Sequence, residues 1–172
     1  MGARDPLRGA AMLPRRSTRD PLGDSATMCL IIEIRVPGIA HERAGEVSRQ
    51  VSKIPGMQNL FSQRQQNLSS GALFKIGPDP SEQCACGLMG EAFEETSAEF
   101  DLNRDECESL AKSLEFIAGA AGNEGFYLRA AYVSGPWVAP TVRATIQLPK
   151  LLAKIRDGRL PSGLDLHVRP VA

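Results

Sequence analysis

Cys29-Leu30-Ile31-Ile32-Glu33-Ile34-Arg35-Val36, closed by Pro37-Gly38, is the stretch that decides how the chain is built. Leu30, Ile32, Ile34 and Val36 recur at every second residue, the period of a strand, and so share one face. Cys29, Ile31, Glu33 and Arg35 fall on the other. A strand that is apolar on one side and charged on the other belongs to a sheet covered by helices on a single face. Glu33 and Arg35 also break the segment well short of the ~18 apolar residues that a membrane span needs.

Downstream, Ala40, Ala44, Val47, Val51 and Ile54 follow helical spacing until Pro55-Gly56 stops them. The polar run from Gln58 to Ser70 reads as a long loop or a short helix around Leu60-Phe61. Leu73 to Ile76 predicts a second strand, Gln83 to Met89 a third, and Gly77-Pro78-Asp79-Pro80 the turn of a hairpin between them. Glu91 to Phe100 shows no clear period. Asn103 is a good helix N-cap with Glu106 three residues on, the spacing of a capping box. Cys107, Leu110, Ala111, Leu114, Ile117, Ala118 and Ala121 then form one stripe, ended by Gly122-Asn123. Phe126 to Val133 reads as a fourth strand and Leu164 to Val168 as a last one. Between them, Leu148, Leu151, Leu152 and Ile155 mark a third helix with Pro149 in its first turn. The expectation is an α+β fold: a ferredoxin-like βαββαβ antiparallel sheet with helices on one face, plus a C-terminal helix and strand.

At 172 residues the chain suits one domain, predicted from residue 28 to 172. Twenty Lys and Arg offset twenty Asp and Glu, which disfavours a protein devoted to gripping nucleic acid or an acidic membrane. Residues 1–27 differ: five Arg, three Asp and three Pro with no apolar period predict a disordered basic leader. Met28 directly before the first strand points to a natural start there, with the leader a mis-assigned extension. The apolar patch Gly9 to Leu13 is too short for a secretory signal, so the cytoplasm is the expected compartment.

Cys84-Ala85-Cys86 is the most conspicuous local feature. On a strand both sulfurs share a face, as two ligands of a soft metal or a thiol pair require, with Cys107 or His41 as helpers. The spacing is not that of a zinc module, however, and no second pair exists. Free cysteine is also a small buried hydrophobe, and Cys84, Cys86 and Cys107 fit that reading. No metal or other cofactor is expected. Eight acidic residues between Glu91 and Glu108 surround the start of the second helix, where negative charge favours the helix dipole. His41 and His167 read as surface or capping residues. The open sheet face would offer Glu33, Arg35, Lys75, Tyr127 and Arg129, with Trp137 in a nearby loop as a further contact. With one aromatic on that face, RNA reading is disfavoured.

Cys84-Ala85-Cys86-Gly87-Leu88, the helix from Asn103, Ala131-Tyr132-Val133, and Leu151-Leu152-Ala153-Lys154-Ile155-Arg156-Asp157-Gly158 together resemble a group of small uncharacterised bacterial α+β proteins. That group pairs a Cys-x-Cys-x-Leu strand with a late Leu-Leu-x-x-Ile-x-x-Gly helix. The resemblance covers about half the chain and implies a bacterial, cytoplasmic protein, with no activity to carry over. No nucleophile, base and electrophile gather in the sequence. The expected function is a non-catalytic binding module for an unknown protein or small ligand, with a homodimer through the open sheet face among its forms. The alternative is a thiol-redox or metal protein using Cys84 and Cys86.

Overall fold

The computed structural model describes residues 29–57, 61–64, 71–76, 88, 99–133 and 140–171. In chain order the elements are β1 (Cys29–Val36), α1 (His41–Val51), β2 (Phe61–Arg64), β3 (Ala72–Ile76), β4 (Glu99–Asp101) and α2 (Arg104–Ala121). After a short 3-10 turn come β5 (Phe126–Val133), β6 (Arg143–Gln147), α3 (Leu148–Arg156), β7 (Arg159–Pro161) and β8 (Leu164–Arg169). Among the described residues the main sheet has six strands in the order β2-β3-β1-β5-β8-β6, and β4 pairs with β7 apart from it. Every pair in the main sheet is antiparallel except β6 with β8, which is parallel. The fold is therefore mixed α+β, and its sheet is not purely antiparallel as expected, with β2 and β6 as strands that were not expected.

The alternation in β1 sets the layers. Ile32 and Ile34 stand opposite Ile76 and Phe74 of β3 on one side and Ala130 and Leu128 of β5 on the other. All six are buried, as are Leu166 and Val168 of β8. Burying each large apolar side chain is worth roughly 1.5–3 kcal/mol, so one continuous stripe across four strands dominates the stabilisation. Ala44, Val47 and Val51 of α1, the Leu110–Ile117 stripe of α2, and Leu151, Leu152 and Ile155 of α3 close over it. Arg156 of α3 reaches Glu108 at 3.0 Å and Glu115 at 2.8 Å on α2, and Lys154 pairs with Glu99 of β4.

Some expectations need correction. The polar run after α1 holds neither a plain loop nor a helix at Phe61 but β2, paired with β3. The strands β6 and β7 have too few apolar residues to announce themselves. Asn103 does cap α2, its side-chain oxygen accepting the Asp105 N–H at 3.2 Å. The capping box is not completed, because the Asn103 N–H donates to the Leu88 carbonyl at 2.7 Å. Glu106 instead lays one buried, unpartnered carboxylate oxygen over Gly56. The leader lies outside the described residues, and so does the expected strand Gln83–Met89 apart from buried Leu88.

Gly125 joins the turn after α2 to β5 with φ +71°, a left-handed conformation that glycine adopts without strain. A Cβ there would overlap the Val168 carbonyl oxygen. Glycine thus lets the start of β5 pack directly on β8, with Phe126 opposite Val168 and Tyr127 opposite His167.

Candidate functional site

The face of the sheet turned away from the helices carries two rows of polar side chains that cross the strands. In the first, Lys75, Glu33, Arg129, Asp165 and Arg143 lie side by side on β3, β1, β5, β8 and β6. Their charges alternate, so each carboxylate has a cation on either side. Lys75 Nζ is 3.0 Å from Glu33 Oε1, with both side chains under a tenth exposed. Arg129 Nε donates to Asp165 Oδ1 at 2.8 Å, and Arg143 Nε lies 3.6 Å from Asp165 Oδ2. Asp165 is 2% exposed, whereas the Arg143 side chain is 82% exposed. The hydrogen bond from Arg129, aided by the charges of Arg129, Arg35 and Arg143, holds the Asp165 carboxyl below its ordinary range despite burial. The same bond pushes Arg129 upward. Both groups therefore stay ionised near neutrality.

The second row comprises Arg35 of β1, Tyr127 of β5, His167 of β8 and Thr145 of β6. Arg35 sits 4.5 Å from the Tyr127 ring centroid, and the Tyr127 and His167 rings stack at 4.6 Å with 11° between their planes. Since β1 and β8 flank β5, Tyr127 has a cation against one face and an imidazole against the other. His167 Nε2 lies 3.0 Å from the Glu124 carbonyl oxygen. A carbonyl only accepts, so Nε2 carries the hydrogen, and Nδ1 accepts from Arg169 Nε at 3.5 Å. These two contacts and the Tyr127 stack fix the plane of the imidazole. Arg35 Nε is buried with no hydrogen-bond partner.

At the β6 end the rows enclose an open concavity of about 190 Å³, lined by Tyr127, Arg143, Ala144, Thr145, Asp165 and His167. Adding Arg169, which shares the face, gives five cations against two carboxylates among the described residues of these rows. Such a surface favours an anionic group.

Of the residues singled out in the sequence, the structure gathers Glu33, Arg35, Lys75, Tyr127 and Arg129 on this face. Glu33 and Lys75 are not open to solvent, as expected of an uncovered sheet, but buried as an ion pair. Trp137, Cys84 and Cys86 lie outside the described residues. Cys107 is buried, its Sγ donates to the Asn103 carbonyl at 3.3 Å, and burial pushes its thiol upward, away from the reactive thiolate. His41 is exposed at the first position of α1. Among the described residues no three His, Cys, Asp or Glu side chains come together as a metal-ligand set. The acidic run resolves in part into pairs with basic residues, Glu99 with Lys154 and Arg159 and Glu108 with Arg156.

Arg143, Thr145, Asp165, His167 and Arg169 complete the face and were not anticipated as a site. The alternation Leu164-Asp165-Leu166-His167-Val168-Arg169 could have revealed three of them, because the apolar members mark the core side. No described helix is long and apolar enough to cross a membrane. Comparison with protein-family models, curated proteins and solved structures gave no match.

Proposed function

We propose that the chain is a non-catalytic binding module whose ligand surface is the β5–β8–β6 part of the open face. The observation that carries this reading is the concavity beside a locked His167 and an ionised, buried Asp165, with the Arg143 side chain 82% exposed at its rim. Preorganised groups around a small hollow suit recognition, because little side-chain freedom remains to be lost on binding. The frame is read as ferredoxin-like, supported by the antiparallel order β2-β3-β1-β5 with α1 after β1 and α2 before β5; β8 and β6 extend that unit. A bacterial, cytoplasmic setting rests on the sequence resemblance alone. A homodimer through this face would set like charges together, so an external ligand is favoured over a second copy.

Amide chemical-shift mapping on the full chain, against small metabolites and acidic peptides, tests the reading. Saturable shifts centred on Tyr127, Arg143, Thr145 and His167 are expected. Shifts confined to α2 and α3, or a dimer that dissociates when Thr145 is replaced by Lys, would overturn it.

A further inference from the structure

Resting on the binding-module reading, we infer that the concavity takes a small monocarboxylate, held by Arg143 above the floor made by Asp165 and His167. Three observations lead there. Arg143 approaches Asp165 most closely through Nε, at 3.6 Å, and its side chain is 82% exposed. Among the described residues nothing pairs with its two terminal nitrogens, which form the planar fork that matches a carboxylate. The hydroxyl of exposed Thr145, on the same strand and face, lines the same hollow and supplies a second donor.

Charge sets the sign of the ligand, and the planar Arg143 fork sets its shape. The face carries five cations and two carboxylates, so a cation would meet net repulsion. Asp165 stays ionised beneath Arg143, so an incoming anion gains most at the outer edge of the fork, away from that carboxylate. A planar carboxylate matches that edge with two parallel hydrogen bonds. The volume of about 190 Å³ admits a few heavy atoms beyond the carboxylate. It falls below the ~300 Å³ at which drug-sized pockets begin. RNA is the poorer occupant, because Arg35 and His167 already cover both faces of Tyr127, and stacking readers need two or three free aromatic faces.

The test compares four probes of similar body or charge on the full chain by amide and arginine side-chain chemical shifts: benzoate, benzyl alcohol, benzylamine and inorganic phosphate. Benzoate is expected to give saturable shifts at Arg143, Thr145 and His167, and to bind more tightly than the other three. Arg143→Gln should weaken benzoate by about tenfold or more, the scale of a lost charge-assisted pair. Arg156→Gln, which removes an equal charge from α3, should change it by less than about twofold because that charge is distant and screened. Tighter binding of phosphate, benzyl alcohol or benzylamine at these residues overturns the carboxylate inference and leaves the binding-module reading standing. Unchanged benzoate affinity in Arg143→Gln overturns the inference too. If all four probes and the wider metabolite and peptide panel leave this face unshifted, both fall.

Discussion

The two ends of the alternating charge row obey the same electrostatics and differ in what surrounds them. At the β3–β1 end, Lys75 and Glu33 are both buried and meet at 3.0 Å. At the β8–β6 end, an equally buried Asp165 is gripped by Arg129 but only loosely approached by the exposed Arg143. A closed pair has its charge answered within the chain and contributes to fold specificity. An open pair leaves charge to be answered from outside. The difference separates a closed ion pair from an open one on one continuous surface.

The sharpest way to break this comparison is Lys75→Met. Leaving Glu33 buried without its ammonium should cost about 3–5 kcal/mol, read from urea unfolding. The double variant Glu33→Leu with Lys75→Met should recover most of that loss, since a buried pair and an apolar pair of similar volume are nearly equivalent. Recovery would show that the pair is structural; continued loss would assign it a further role.

Asp165→Asn comes next, at about 1.5–3 kcal/mol near neutrality, the worth of a charged hydrogen bond to Arg129. Its effect has a direction in pH. The folded Asp165 carboxyl titrates below its unfolded value, so its contribution is fully present above about pH 4. It is lost as pH falls through the folded value. Urea midpoints of the two proteins should therefore converge below about pH 4 and stay parallel above it.

Arg156→Ala removes exposed pairs to Glu108 and Glu115 and should cost about 0.5–1 kcal/mol, shrinking in high salt. Arg143→Gln should change stability least, by under about 0.5 kcal/mol, because the side chain is 82% exposed. A thermal scan showing a large loss there would make Arg143 part of the frame and erase the contrast between the two ends.

How much of this was readable beforehand follows from side-chain patterning. Leu30, Ile32, Ile34 and Val36 disclosed β1 and its layers because apolar residues at every second position, with Glu33 and Arg35 between the last three, fit a half-buried strand. The stripe from Cys107 to Ala118 disclosed α2 in the same way. Phe61–Arg64 and Arg143–Gln147 were missed because they are strands of four and five residues with few apolar side chains. Edge strands stay short and polar to avoid unwanted pairing, and that weakens their signal. The site was lost with them. Glu33, Arg35, Lys75, Tyr127 and Arg129 were placed on one face, but Arg143 and Thr145 of β6 reach it through a parallel pairing with β8 that local periodicity does not encode. Nor does periodicity separate a charge buried in a pair from one in water, which is why Lys75 and Glu33 were expected to be exposed.

The position of β8 has a consequence for how the molecule is assembled. Although β6 precedes it in the chain, β6 joins the main sheet only through β8, which is threaded between β5 and β6. A nascent polypeptide extended as far as Arg159 can already bring β1, β3, β5 and α2 together, yet its Arg143 has no Asp165 to lean on. The β8–β6 part of the open face is thus complete only once residues 164–169 pair between β5 and β6. Losing that segment would open the face and strip Leu166 and Val168 from the buried stripe together.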